Sequence, residues 1–182
     1  YPVGLLYLQM GVLYGNDYDY PQALINMEAA LRCFQIIDKE KLQYLSKRNM
    51  GLIYLNMGGM EQAEPLFNEV LAWGEAHNDT YIINSTIPSL LRLYDATIEA
   101  DSIASLFMRY PIEAFPQNAT TYGIRAYYYA LKGDEIAAEK TLAYAWNISA
   151  TAEDTAKLWN KSYQIGKLLG DKEMALRSHE FL

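Results

Sequence analysis

Two stretches of this chain, forty residues apart, share one pattern of small and aromatic residues. The first, MGVLYGNDYDYPQALINMEAAL, begins at Met10, and the second, MGLIYLNMGGMEQAEPLFNEVL, begins at Met50. Each opens with Met-Gly, has a Tyr three residues after the Gly, and has an Ala nine residues after that Tyr. A self-similar period of about 20 to 50 residues is typical of repeat proteins, in which one small unit stacks on the next. The spacing therefore predicts a chain built from repeated units.

The repeat extends to a third unit at the same offset. Five columns align: Gly11, Gly51 and Leu91; Tyr14, Tyr54 and Tyr94; Ala23, Ala63 and Ile103; Met27, Phe67 and Phe107; Ala30, Val70 and Tyr110. Within the first two units the apolar residues recur at steps of three and four, which indicates helices. The short breaks GNDYDYP and NMGG divide these units into two apolar runs. Each unit is therefore predicted to be a pair of antiparallel helices.

Gly51 lies inside a segment that otherwise favours a helix, NMGLIYLNM. A glycine in a helix interior costs about 1 kcal/mol relative to alanine. The explanation that fits the repeat is a close approach of the two helices. We expect Ala63 to lie against Gly51, with Tyr54 and Phe67 filling the space around them.

These spacings resemble the tetratricopeptide repeat (TPR). The family signature has a large residue, then Leu-Gly, a Tyr, an Ala, an aromatic residue and a second Ala at fixed intervals. The first unit supplies Tyr7, Met10, Gly11, Tyr14, Ala23, Met27 and Ala30, and the second supplies Lys47, Met50, Gly51, Tyr54, Ala63, Phe67 and Val70. The third keeps Tyr94 and Phe107 but lacks both small residues. The resemblance implies an all-α fold, a right-handed α-α superhelix (solenoid) of about five antiparallel helix pairs.

The predicted domain organisation has three parts. Residues 1–110 form three TPR-like pairs (1–38, 40–78 and 80–110), residues 111–118 form a Pro-containing break, and residues 119–182 form two divergent pairs, the last one truncated. The divergent pairs rest on GDEIAAEKTLAYAW and GDKEMALRSHEFL.

Local signals mark several helix ends in this organisation. Pro111 and Pro116 forbid a continuous helix, because proline lacks the N–H group. Asn118 or Thr120 is predicted to cap the next helix. Thr151 followed by Asp154 resembles a capping box. Pro88 is expected to kink or shorten the first helix of the third pair.

Composition excludes several classes of function. The formal charge is −7 and the pI is about 4.8, so a nucleic-acid partner is disfavoured for this segment, since phosphate binding needs clustered Lys and Arg. No apolar run has the length of a membrane-spanning helix, so no membrane span is predicted. The single cysteine, Cys33, precludes an intramolecular disulfide. That fits a reducing compartment, but many exported bacterial proteins also lack disulfides, so bacterial cytoplasm and periplasm or cell envelope both stay open.

The sequence contains no set of residues with the types and spacing that a known kind of catalytic site requires. The two histidines, His77 and His179, are far from each other in the chain and have no His/Cys cluster with metal-ligand spacing around them. The structural interpretation, as opposed to a catalytic one, places His77 at a helix C-terminus and Cys33 in the core. The Gly58-Gly59 pair belongs to a turn between helices. We therefore predict no enzyme, no catalytic residue, no metal site and no cofactor.

The resemblance also implies a binding surface, because the first helix of each TPR pair lines the concave face of the superhelix. Carried over to this sequence, the predicted contacts are Gln9, Asn16, Arg48, Asn49, Asn56, Arg92, Asp95 and Tyr127. One column reads Gln9, Asn49, Ser89, and amide side chains there can pair with a peptide backbone. The alternative is that these polar side chains bind no ligand and are present only because the groove is exposed to water. Leu8 and Val12 stand where the family's carboxylate clamp needs Lys and Asn, which disfavours a chaperone tail as partner.

The leading functional prediction is a non-catalytic protein- or peptide-binding TPR solenoid within a larger bacterial protein. One alternative is the sensory or ligand-binding region of a bacterial regulator. Another is a structural module that associates with copies of itself, so a homo-oligomer stays open. The chain opens at Tyr1 directly in an ordered pattern, which is typical of a segment of a longer polypeptide.

Overall fold

The computed structural model describes residues 1–181, and its regular elements there are all helical. Residues 1–181 contain no strand. Residues 1–181 contain ten α-helices: α1 (Pro2–Asn16), α2 (Tyr20–Ile36), α3 (Glu40–Asn56), α4 (Met60–Ala76), α5 (Thr80–Thr97), α6 (Ala100–Arg109), α7 (Ala119–Leu131), α8 (Glu135–Ile148), α9 (Ala152–Leu169) and α10 (Lys172–His179). A short 3-10 turn, Ile112–Ala114, precedes α7. The predicted all-α fold of successive helix pairs is confirmed.

The helices form two compact units. Unit 1 spans Tyr1–Thr97 and holds α1 to α5, and unit 2 spans Ile98–Leu182 and holds α6 to α10. The division falls between α5 and α6, whereas the sequence placed its break at residues 111–118. The organisation into three pairs, a break and two pairs therefore stays a proposal.

Unit 1 is a row of helices in which each helix packs on its neighbours in the chain. Helix α2 packs against α1 and α3, and α4 packs against α3 and α5. The largest fully buried side chains of this unit come from α2, α4 and α5: Met27, Phe34, Phe67, Val70, Ile82, Thr86, Ile87, Leu90 and Leu93. The columns Ala23/Ala63 and Ala30/Val70 are also fully buried, so these repeated positions belong to the core.

The turns between successive helices from α1 to α6 recur every twenty residues, which is half the period of the sequence repeat. Each has one residue with a positive φ, two positions before the next helix: Tyr18, Asp38, Gly58, Asn78 and Ile98. In the first four turns this residue's N–H donates to the carbonyl three residues earlier at 3.2 Å. The next N–H donates to the carbonyl five residues earlier at 2.8 to 2.9 Å. This is the Schellman motif, which satisfies carbonyls at a helix C-terminus.

The same turn is built from unlike residues. Glycine, Asn and Asp enter the left-handed region at little cost, but Ile98 adopts φ +59° with a β-branched side chain that is 64% exposed. That conformation costs about 1–2 kcal/mol for an ordinary residue. The varied identities of these turn residues hide the shorter period in the sequence.

Unit 2 has a different packing pattern. Helix α7 packs against both α8 and α9, and α9 packs against α10. Its core contains Ala126, Ala138, Leu158 and Ile165. The Pro-containing segment before α7 is anchored by Phe115, which is buried and whose ring centroid lies 4.8 Å from that of Phe107.

Two predicted helix caps are confirmed in unit 2. The Asn118 side chain accepts a hydrogen bond from the N–H of Thr121 at 2.9 Å at the start of α7. The Thr151 hydroxyl accepts from the N–H of Asp154 at 3.0 Å and donates to the Asp154 carboxylate at 2.8 Å. Both caps satisfy N–H groups that a helix leaves free in its first turn.

Two predictions for unit 1 need correction. Of the two effects expected of Pro88, a kink or a shortened helix, the shortening is not observed, since α5 runs from Thr80 to Thr97. The nearest neighbour of Gly51 is Phe67 and not Ala63: a Cβ on Gly51 would lie 2.8 Å from Cε1 of the Phe67 ring. Gly11 faces Met27 at the same distance. The glycine therefore makes room for the large residue of the second helix, and the buried Ala63 is not its nearest partner.

Asp79 connects α3 with α5, because it forms an ion pair with one helix and caps the other. One carboxylate oxygen lies 2.6 Å from Lys41 Nζ on α3, and the other accepts from the N–H of Ile82 at 3.1 Å in the first turn of α5. The hydrogen bond from Lys41 lowers the pKa of Asp79, and the Ile82 N–H adds to this, while burial acts in the opposite direction. The lowered pKa means that the carboxylate stabilises the fold above its unfolded pKa and that this contribution is lost as pH falls through the folded value.

We expect Asp79→Ala to cost about 1 kcal/mol or more at pH 7, since an N-cap is typically worth about 1 kcal/mol. Asp79→Asn is the matched variant, because Asn also caps helices but carries no charge. Its free energy of unfolding should fall less than that of the wild type between about pH 5 and pH 3. Urea titrations across this range check the prediction, and parallel pH profiles for wild type and Asp79→Asn would contradict it.

Candidate peptide-binding surface

The first helices of successive pairs in unit 1 touch one another, α1 with α3 and α3 with α5. Seven of the predicted contact residues lie on these three helices: Gln9 and Asn16 on α1, Arg48, Asn49 and Asn56 on α3, and Arg92 and Asp95 on α5. The eighth, Tyr127, lies on α7 in unit 2. Within unit 1, hydrogen bonds made by two of the predicted residues, Arg48 and Arg92, form two bridges that join α3 to α5.

Arg48 makes the first bridge. Its Nε donates to the Ser85 carbonyl oxygen on α5 at 3.0 Å, and its Nη1 donates to Asn49 Oδ1 at 3.3 Å. The side chain is half-buried. Burial lowers the pKa of Arg48, and the nearby Tyr81 acts in the opposite direction. Arg48 therefore serves mainly to hold α3 against α5 and to orient the Asn49 amide.

Arg92 makes the second bridge. Its Nη2 donates to Asn56 Oδ1 at 2.5 Å, and both side chains are exposed. Arginine has five N–H donors in a planar fork. This contact uses one of them, so the guanidinium retains donors that point to solvent or to a ligand. The bridge fixes an exposed cation on the surface shared by α3 and α5.

Asn49 lies between the two bridges. Its Oδ1 accepts from Arg48, while its Nδ2 has no hydrogen-bond partner among residues 1–181. The side chain is half-buried. An amide held by its oxygen presents its two N–H donors in a fixed direction, which suits a carbonyl acceptor.

The three residues of the column Gln9, Asn49 and Ser89 are not equally exposed to solvent. Gln9 is exposed and Asn49 is half-buried, but Ser89 is only 6% exposed. The column therefore offers side chains to a ligand at α1 and α3 and becomes part of the core at α5. Asn16 is exposed and Asp95 is half-buried.

Tyr127 does not lie on an open surface. It is 8% exposed and belongs to the core of unit 2. The Lys161 ammonium lies 4.8 Å from its ring centroid. The predicted groove position thus holds a core residue, because α9 packs directly against α7 and covers this face.

Two of the residues considered for catalysis, His77 and Cys33, lie in unit 1. His77 follows the last residue of α4, and its Nδ1 lies 2.9 Å from the Trp73 carbonyl oxygen. Its ring stacks on Trp73 at 4.3 Å, and Trp73 stacks on Tyr44 at 4.8 Å. Cys33 is half-buried on α2. Among residues 1–181, no three His, Cys, Asp or Glu side chains are arranged to hold a metal ion. No helix in that range is both long and apolar enough to cross a membrane.

Sequence reasoning missed a cleft between α7 and α8. It has a volume of about 320 Å³ and is lined by Tyr122, Arg125, Tyr129, Lys140, Thr141 and Tyr144. Its signal is present in the sequence as aromatic and basic residues at steps of three and four on each helix. That pattern becomes a site only when the pairing of α7 with α8 is known.

Comparisons with known proteins support the fold alone. No family model matches the chain, and no curated protein matches it. One similar solved structure is a crystal structure of nearly identical TPR-like repeats, assigned to a kinesin light chain of Podosopora anserina. It has a TM-score of 0.66 and 14% identity, and the alignment covers 96% of this chain and 90% of that one. The chain therefore has a TPR-like helical-repeat fold, while its bacterial origin stays a prediction.

Proposed function

We propose that this chain is a non-catalytic module that binds an extended segment of a partner protein along α1, α3 and α5 of unit 1. The observation that carries the proposal is the pair of bridges between α3 and α5. They hold Arg92 and Asn49 on adjacent helices, and N–H groups of the Arg92 guanidinium and of the Asn49 amide remain available to a ligand. The TPR-like fold supports the same class of function, because helical repeats present extended binding surfaces.

The chemistry of this surface fits a polypeptide backbone. An extended peptide exposes carbonyl acceptors that the Asn49 amide and the Arg92 guanidinium can satisfy. Val12, 42% exposed on α1, and the half-buried Leu52 on α3 provide apolar contact beside them. A few fixed polar groups on an apolar surface are the usual composition of ligand sites.

Self-association is a second candidate, because α1 carries an unusual number of exposed large apolar residues. They are Val3, Leu6, Val12 and Leu13, each at least 42% exposed, together with Tyr1 before the helix. Exposed apolar patches mark interaction sites when they are contiguous. In a capture experiment this function would appear as recovery of the chain itself.

The test is capture of peptides from an array by the wild type and by Asn49→Ala/Arg92→Ala. Each lost pairing should cost about 1 kcal/mol, so we expect the double variant to bind roughly thirtyfold more weakly. Stability should hardly change, since Arg92 is exposed and the Arg48–Ser85 bridge remains.

The matched control is Arg32→Ala/Gln35→Ala, which removes one guanidinium and one amide from exposed positions on α2. It should bind as the wild type does. If the groove variant and the control capture the same peptides equally well, the surface of α1, α3 and α5 is not the binding site.

A further inference from the structure

The cleft between α7 and α8 collects aromatic rings and cations in one small volume. Tyr122, Arg125 and Tyr129 line it from α7, and Lys140 and Tyr144 line it from α8. The rings of Tyr122 and Tyr144 meet edge to face with centroids 4.7 Å apart. At about 320 Å³ the cleft is at the lower end of the size range of ligand sites, which suits one or two side chains and not a whole helix.

No acidic residue lines this cleft. On a helix, the neighbours of a side chain are three and four residues away. Around Arg125 these positions hold Thr and Tyr, and around Lys140 they hold Ile, Ala and Tyr. Neither cation has an ion-pair partner among residues 1–181. The cleft therefore concentrates positive charge locally, in a chain whose formal charge is −7.

Two cations of unit 2 outside the cleft have carboxylate partners. Lys157 pairs with Glu153 at 2.6 Å, and Arg177 pairs with Glu173 at 2.5 Å. Arg125 instead donates its Nε–H to the Tyr129 hydroxyl at 3.2 Å and lies 5.6 Å from the Tyr129 ring centroid. The terminal N–H groups of its guanidinium are left for another acceptor, and a carboxylate is the acceptor that fits them in pairs.

The cleft is held in shape by the segment that precedes α7. The Tyr122 hydroxyl lies 2.6 Å from Gln117 Oε1, and Gln117 Nε2 donates to the carbonyl oxygens of Ile112 and Phe115 at 2.8 and 2.9 Å. The Arg125 guanidinium also lies 5.9 Å from the ring centroid of Phe107. Because these contacts restrict Tyr122 and Arg125 before any ligand binds, less side-chain entropy is lost on binding.

We infer that this cleft binds an acidic side chain of a partner polypeptide, next to an aromatic residue of the same segment. The carboxylate is received by Arg125 and Lys140, and the neighbouring aromatic ring packs on Tyr122 and Tyr144. The inference rests on the proposed function only in that the ligand is a polypeptide, since the site lies in unit 2 and shares no residue with the surface of unit 1.

The test uses two labelled synthetic peptides, Ser-Gly-Phe-Glu-Phe-Gly-Ser and the same peptide with Gln in place of Glu, both with blocked ends. Fluorescence anisotropy with the full chain at low salt should show the Glu peptide binding at least about tenfold more tightly than the Gln peptide. Arg125→Gln/Lys140→Gln should remove that difference. Added salt should reduce it, because exposed charges are screened.

Lys157→Gln is the matched control, because it removes one positive charge from unit 2 outside the cleft. It should retain the tenfold preference. Lys140→Glu changes an exposed side chain, so it keeps the test valid if Arg125→Gln fails to fold. It should weaken the Glu peptide more than the Gln peptide.

Three results would overturn the inference: no binding of the Glu peptide, equal affinity for both peptides, or equal effects of the Lys140 and Lys157 variants. Asn49→Ala/Arg92→Ala should bind the Glu peptide as the wild type does. The failure of the unit 1 surface and the failure of this cleft are therefore separate outcomes.

Discussion

Gly166→Ala is expected to destabilise unit 2 by about 3 kcal/mol, the upper end of the usual cost of overpacking. A Cβ on Gly166 would lie 2.7 Å from the backbone nitrogen of Ala175 and 3.1 Å from the carbonyl oxygen of Asp171. Both atoms belong to the backbone at the start of α10, which cannot rotate away as a side chain does. A single methyl group must therefore displace α10 from α9.

Gly123→Ala is the matched control for this change. A Cβ on Gly123 would lie 2.9 Å from Cδ2 of Leu158, a similar distance, but that atom is the end of a flexible side chain. Leu158 can shift, and alanine favours the helix by about 1 kcal/mol over glycine, so the net change should be small.

Tryptophan fluorescence in urea can follow unit 2 by itself once Trp73 of unit 1 is replaced by Phe. Trp146 and Trp159 then remain, and the Trp159 ring stacks on Phe181 just beyond α10 at 4.3 Å. Gly166→Ala should shift the midpoint and alter the native spectrum. Equal midpoints for Gly166→Ala and Gly123→Ala would show that α10 does not press on Gly166.

The helices and their pairing were predictable because they depend on local periodicity and on small residues that recur at one offset. The turn geometry was not predictable in the same way. Tyr18 and Ile98 adopt the backbone conformation of Gly58 without any tendency of their own towards it. The twenty-residue period is therefore a property of the backbone that side-chain identity conceals.

The candidate surface was predictable in part, for a physical reason. Positions such as Asn49 and Arg92 follow from the repeat register, because a register fixes which face of the first helix a residue occupies. Tyr127 occupies a corresponding face but is buried, since unit 2 packs its first helices α7 and α9 directly together. The repeat register therefore predicts which face of its helix a residue occupies. Whether that face is exposed to solvent depends on how the neighbouring helices pack.

The second large effect is expected at Gly51, where the obstacle is a side chain. A Cβ there would lie 2.8 Å from Cε1 and 3.1 Å from Cδ1 and Cζ of the Phe67 ring. These three atoms belong to one rigid ring, so they cannot move apart from one another as the end of a Leu side chain can. Gly51→Leu should therefore cost about 1–3 kcal/mol or more. Gly51→Ala should show a smaller loss of the same sign.

Gly15 gives the control on α1. A Cβ on Gly15 would meet its nearest atoms, on Ala23 and Ile53, at 3.9 Å, which is ordinary van der Waals contact. Gly15→Ala should leave the free energy of unfolding unchanged or slightly raised, because alanine is the better helix former. Urea denaturation of both alanine variants measures the difference directly.

A rescue experiment identifies the obstacle at Gly51. If the Phe67 ring is responsible, Phe67→Leu should destabilise the wild type more than it destabilises Gly51→Ala, because the smaller side chain removes the clash while it leaves a cavity. The coupling between the two changes should be at least about 0.5 kcal/mol, as for residues in contact. Strict additivity, or an unchanged midpoint for Gly51→Leu, would mean that the glycine does not mark a close approach of α3 and α4.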